Sequence, residues 1–164
     1  MDMLAKLENY LVFIEKFIMV VTSMVLVLLV CWAVVLRYVL ELDLYGIEEI
    51  EVLIGFWLYF VAGVYGSYKG TQISADILNV LVKNTHVKRF FNIAANIVAF
   101  LMVSVFAYWS WDLLMFSIQK RPVTAVWRIP MFFTYLPVVL GFCLMAVYAL
   151  RDLCRSIKGT PAEE

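Results

Sequence analysis

The 164-residue sequence predicts an all-α integral membrane protein, and three observations carry that prediction. Hydrophobic residues make up 65% of the chain and charged residues 16%, where globular chains hold about half and about a quarter. Residues 17–36, 52–68, 90–111 and 129–150 carry no charge. At about 1.5 Å per helical residue, each of these stretches comes close to or exceeds the length needed to cross a hydrocarbon core of about 30 Å. The alternation over about ten residues that a membrane barrel needs is missing, so the amides of each span are expected to be satisfied within a helix. The expected architecture is four transmembrane helices with short amphipathic interfacial helices, and residues 1–164 read as one membrane domain.

Ahead of the first span, Leu4, Leu7, Leu11, Ile14 and Ile18 recur at helical spacing with Lys6, Glu8, Glu15 and Lys16 between them. This pattern predicts an amphipathic lead-in helix at the interface. The span itself is longer than a signal-peptide core and ends in "VVLRYVL" instead of a small-residue cleavage site, so it reads as a retained anchor.

The connection at 37–51 holds one base, Arg37, against Glu41, Asp43, Glu48, Glu49 and Glu51. Carboxylates at a helix start are favoured by the positive end of the helix dipole, but five acids exceed that need. Arg37 is therefore expected to pair with Glu48 or Glu49 and tie the first two spans together. In the second span, Ile47 and Ile50 extend the apolar face upstream, and Gly55, Ala62, Gly66 and Gly70 form a stripe of small residues. Such a stripe lets two helix backbones approach closely, whether the neighbour belongs to this chain or to another.

After Gly70, Ile73, Ile77, Val80 and Leu81 predict an interfacial helix over about 72–86, with Lys83, Lys88 and Arg89 directed at anionic membrane lipid. Asn92 and Asn96 stand one turn apart at the start of the third span, where paired amides usually join helices by hydrogen bonding; Thr22, Ser23, Ser104 and Thr134 are the other polar residues within the spans. In the 112–128 connection Pro122 stops the third helix and Pro130 suits the start of the fourth. Tyr108, Trp109, Trp111 and Trp127 bracket it as an aromatic belt. Pro137 is expected to bend the fourth span.

An even number of spans puts both termini on one side. The termini and the 69–89 connection hold nine of the basic residues and the other two connections hold four, so both termini are expected in the cytoplasm.

Composition also excludes functions. Net charge is zero, with 13 bases and 13 acids, which removes the cationic field that nucleic acid requires. Cys31, Cys143 and Cys154 form no Cys-x-x-Cys pair, and Cys31 and Cys143 lie inside apolar runs as small packing residues. His86 is the lone histidine, so no haem, metal or other cofactor is expected. Every acid is assigned to a connection or terminus, and a carrier or catalyst working alone would be expected to place ionisable groups at mid-membrane depth. No catalytic residue is assigned.

These residues together resemble the small permease subunit of tripartite ATP-independent periplasmic (TRAP) transporters. The resemblance rests on Arg37 and Tyr38 closing the first span, on Glu48 and Glu49 opening the second, and on "FWLYFVAGVYGSYKG". It continues through "ISADIL" and "RIPMFFTYLPVVLGFCLM". It implies a three-part, sodium-driven importer of organic acids such as C4-dicarboxylates or sialic acid. In such an importer a periplasmic binding protein captures the solute, a large elevator-type subunit moves it, and the small subunit supports the large one. On that reading Gly55, Ala62, Gly66, Gly70, Asn92 and Asn96 are candidates for contact with a helix or with the large subunit. Lys120, Arg121 and Arg128, in an outer connection of net charge plus two, are candidates for docking the binding protein. The competing readings are a self-sufficient small transporter acting as a homo-oligomer and a membrane anchor for a redox enzyme.

Overall fold

A computed structural model describes the backbone of residues 2–42, 45–69 and 85–158. Its elements are four helices: α1 (Asp2–Tyr38), α2 (Ile47–Lys69), α3 (Thr85–Lys120) and α4 (Phe132–Lys158). The interfacial helix expected over 72–86 falls almost wholly outside the described residues, as does Gly70. His86 belongs to the first turn of α3.

α1 is one unbroken helix of 37 residues. The lead-in and the first span merge because no glycine or proline occurs between Asp2 and Tyr38 to interrupt the ladder. At about 1.5 Å per residue the helix is about 55 Å long, well beyond the thickness of a hydrocarbon core. Among the described residues three segments are long and apolar enough to cross a membrane: Tyr10–Tyr38, Phe90–Lys120 and Phe132–Ile157. α2 is not among them; Glu48, Glu49 and Glu51 crowd its first two turns, and tyrosine, glycine and serine dilute the rest.

Packing runs in the order α1, α2, α4, α3, each helix against the next. The result is an open layer of helices in which α1 leans over the α2–α4 seam near Leu11, Ile14 and Ile18. α2 and α4 run parallel, as the pairing of Trp57 with Phe133 near one end and Tyr68 with Tyr148 near the other requires. Phe142 of α4 is the joint of the layer, meeting Phe60 of α2 edge-on at 5.5 Å and stacking on Phe106 of α3 at 5.5 Å. The best-buried residues, Val64 and Pro137, lie where α2 meets α4. α3 buries Ser110, Leu114 and Ser117, a stripe at helical spacing, on its side facing α4. The outer faces of α1 and α3 are lined by exposed apolar side chains such as Phe17, Leu28, Trp32, Leu101 and Trp109.

Two polar residues inside the spans bond within their own helices. The Thr22 and Ser104 hydroxyls donate to carbonyls one turn back, those of Ile18 (2.6 Å) and Phe100 (2.7 Å), so they satisfy themselves within their own helices instead of joining helices. The three cysteines are exposed free thiols, so Cys31 and Cys143 do not pack inside this chain as expected.

Candidate functional site

The loop end of the layer is built around Glu49. α3 stops at Lys120 because Arg121 takes a left-handed conformation (φ 45°) and Pro122 has no amide proton to continue the ladder. The chain then folds back on itself. Val123 and Pro130 form an isolated antiparallel bridge, Thr124 N–H donates to Ile129 O (3.0 Å), and Met131 N–H donates to Pro122 O (2.9 Å). The tip of this loop directs the amides of Val126 and Trp127 at the Glu49 carboxylate, at 2.8 and 3.0 Å.

The Thr124 side chain links the two halves: its Oγ1 accepts Ile129 N–H at 3.0 Å while its hydroxyl donates to Glu49. These bonds hold the Glu49 pKa below the ordinary carboxylate value, Thr124 foremost and then the amides of Trp127, Val126 and Ala125, against the opposing effect of desolvation. Glu49 is therefore a staple from the start of α2 to the segment that leads into α4. Arg37, exposed at the end of α1, forms no ion pair with Glu48 or Glu49 among the described residues. For Glu49 the physical reason is a backbone clamp from a loop 77 residues downstream, which takes both of its oxygens; nothing in the structure explains it for Glu48.

Gly46 completes the junction. Its φ of 92° favours glycine, and a Cβ there would fall 2.5 Å from Trp127 Cδ1 and 2.8 Å from Val126 Cγ1. The Trp127 ring therefore lies directly on the backbone that starts α2. Lys120, Arg121 and Arg128 are exposed around this same loop, with Arg128 also left-handed at φ 51°.

Two close approaches between α2 and α4 run through Gly141 and Gly63, which the expected stripe did not include. A Cβ on Gly141 of α4 would lie 2.9 Å from Phe60 Cδ1 and 3.1 Å from Phe60 Cβ, and one on Gly63 of α2 would lie 2.6 Å from Met145 Cε. Gly55 faces open space, and Ala62 and Gly66 are half-buried. Asn96 Nδ2 donates to Ser156 Oγ at 2.7 Å and so ties α3 to α4, whereas Asn92 is exposed.

At the opposite end Arg151 of α4 donates to Tyr68 O (3.0 Å), stands over the rings of Tyr68 and Tyr148, and pairs with Asp152 at 3.1 Å. Beside it, Glu15 is buried between helices, where the sequence pattern had put it on a polar flank. Sequence reasoning missed Glu15, Gly63, Thr124, Gly141 and Arg151. Only the Gly-Ile-Glu-Glu order at the start of α2 signals the loop-end junction.

These features define a class: a helical integral membrane protein whose polar groups fasten its own helices and loops to one another. Residues 26–159 match the family model described as tripartite ATP-independent periplasmic transporters, DctQ component. The match spans well over half of the chain, and the protein belongs to that family, the small membrane component of TRAP transporters. Among curated proteins no relative matches the chain.

Proposed function

We propose that the protein is the small subunit of a sodium-driven, binding-protein-dependent importer of organic acids in a bacterial inner membrane. Its task there is to widen and immobilise the stationary part of a large elevator-type subunit. The observation that supports this most is the exposure of the two flanking helices: no residue in the most apolar stretch of α1 or α3 is buried within the chain. Helices so little covered enclose no transport path among the described residues and offer broad apolar faces to a partner and to lipid.

α2, about 34 Å long, runs through the membrane alongside α1 and α4, between which it is packed. Both termini face the cytoplasm, in keeping with the excess of lysine and arginine at that end. The Glu49 junction then lies on the periplasmic side, where exposed Lys120, Arg121 and Arg128 meet an acidic patch of the binding protein. Gly55, open on the surface of α2, is a contact for the large subunit.

Purification in mild detergent tests the reading. The large subunit is expected to come down with this chain; a complex made only of copies of this chain would refute it.

A further inference from the structure

Steps of four and three residues put Glu48, Val52, Gly55, Tyr59 and Ala62 on one face of α2. Trp57, Phe60 and Val64 lie on the other side, against α4 and the part of α1 that leans over the seam. The first face is open: Tyr59 is 80% exposed, Val52 is 54% exposed, and a Cβ on Gly55 would meet nothing within 4 Å.

Tyr59 stands in the middle of α2 (Ile47–Lys69), roughly 15 Å from the nearer end. With α2 crossing the membrane as proposed above, that is the depth of the bilayer centre, where hydrocarbon offers a phenol O–H no acceptor. The exposed Tyr38 and Tyr45 differ in standing at or just beyond helix ends, where the hydroxyl reaches headgroups and water. The Tyr59 hydroxyl forms no hydrogen bond among the described residues. A polar group at that depth is costly against lipid, and it is satisfied when a neighbouring helix brings it a partner.

A lipid headgroup does not descend to Tyr59. A second copy of this chain fits worse than a different protein, because all copies share one orientation in the membrane. A two-fold pair packed through this face would set Tyr59 against Tyr59, holding the backbones apart at Gly55, and would set Glu48 against Glu48, like charges at one height. Glu48 is exposed and makes no ion pair among the described residues, whereas the neighbouring Glu49 is held by the loop.

We propose that this face of α2 receives a transmembrane helix of the large membrane subunit, with a hydrogen-bond acceptor opposite Tyr59 and a lysine or arginine near its periplasmic end opposite Glu48. The partner's two groups must match the separation of Glu48 and Tyr59, about 16 Å along the axis. The proposal rests on the reading that α2 spans the membrane and that the chain works bound to the large subunit; it adds which face binds and what the partner presents.

The test places the photo-crosslinking amino acid p-benzoylphenylalanine at position 59 of the complex in native membranes. Mass spectrometry is expected to find the adduct on a transmembrane helix of the large subunit. An adduct on a second copy of this chain, or on lipid alone, overturns the proposal. Tyr59→Phe removes only the hydroxyl of a side chain that the rest of the chain barely touches, so thermal unfolding of the isolated subunit should not change. The complex should nevertheless exchange its small subunit for tagged free copies about threefold faster or more; exchange at the wild-type rate overturns the hydrogen bond. Glu48→Gln should speed exchange at low salt and less at high salt, and an unchanged rate at low salt overturns the charged contact. If no large subunit accompanies the chain in mild detergent, the functional reading fails first and separately.

Discussion

Gly141→Ala is the sharpest perturbation of the packing. In a helix interior alanine gains about 1 kcal/mol over glycine, so on propensity alone the substitution stabilises. At position 141 the new methyl would fall 2.9 Å from Phe60 Cδ1 and 3.1 Å from Phe60 Cβ. A ring can turn, but Cβ is fixed to the backbone, so α2 and α4 must separate or shift. Overpacking of this kind costs about 1–3 kcal/mol, which leaves a net loss of up to about 2 kcal/mol. Gly63→Ala is the matched control: its new methyl would meet only the terminal Cε of Met145, at 2.6 Å, and methionine can change rotamer. Gly55→Ala meets nothing within 4 Å. Thermal unfolding of the three variants in detergent should therefore rank Gly141→Ala below wild type and the other two at or above it. A Gly141→Ala variant as stable as Gly55→Ala would refute the claim that the α2 and α4 backbones are held together at this point.

Three further outcomes follow from the loop and the helix ends. The depressed pKa of Glu49 means that its stabilisation of the loop is complete above the ordinary carboxylate value and is lost only as pH falls through its lower folded value. The Trp127 part of the fluorescence, isolated by difference against Trp127→Phe, should accordingly titrate below the ordinary glutamate range and stop titrating in Glu49→Gln. Ser156→Ala removes the acceptor of Asn96 and should lower stability by about 0.6–2 kcal/mol, the usual worth of an interhelical bond in a membrane protein; denaturation in mixed detergent measures it. Arg151→Lys keeps the charge but lacks the planar fork that bonds Tyr68 O while covering two tyrosine rings, so it should destabilise nearly as much as Arg151→Ala in the same assay.

The helices themselves were legible because charge-free runs of this length have few other solutions in lipid. Pro122 marked the end of α3, and the lack of glycine and proline in residues 2–38 contained the continuity of α1 even though the change from amphipathic to apolar pattern suggested a division there. What stayed hidden was partner choice between distant elements. Glu49 bonds to amides, and every residue but proline carries an amide, so no side-chain pattern announces Val126 and Trp127. The small-residue stripe pointed to one flank of α2, yet Gly63 lies only one residue, about 100° around the helix, from Ala62. Which flank meets α4 depends on how the whole layer assembles. The burial of Glu15 has the same origin: beside Ile14 on a helical wheel it reads as the polar edge of a stripe, until α2 and α4 close over it.

The most direct measurement is solute uptake by liposomes that hold this chain alone, set beside liposomes that hold it with the large subunit and are supplied with binding protein and a sodium gradient. A supporting subunit predicts uptake only in the second preparation. Accumulation of an organic acid by the chain alone would contradict it.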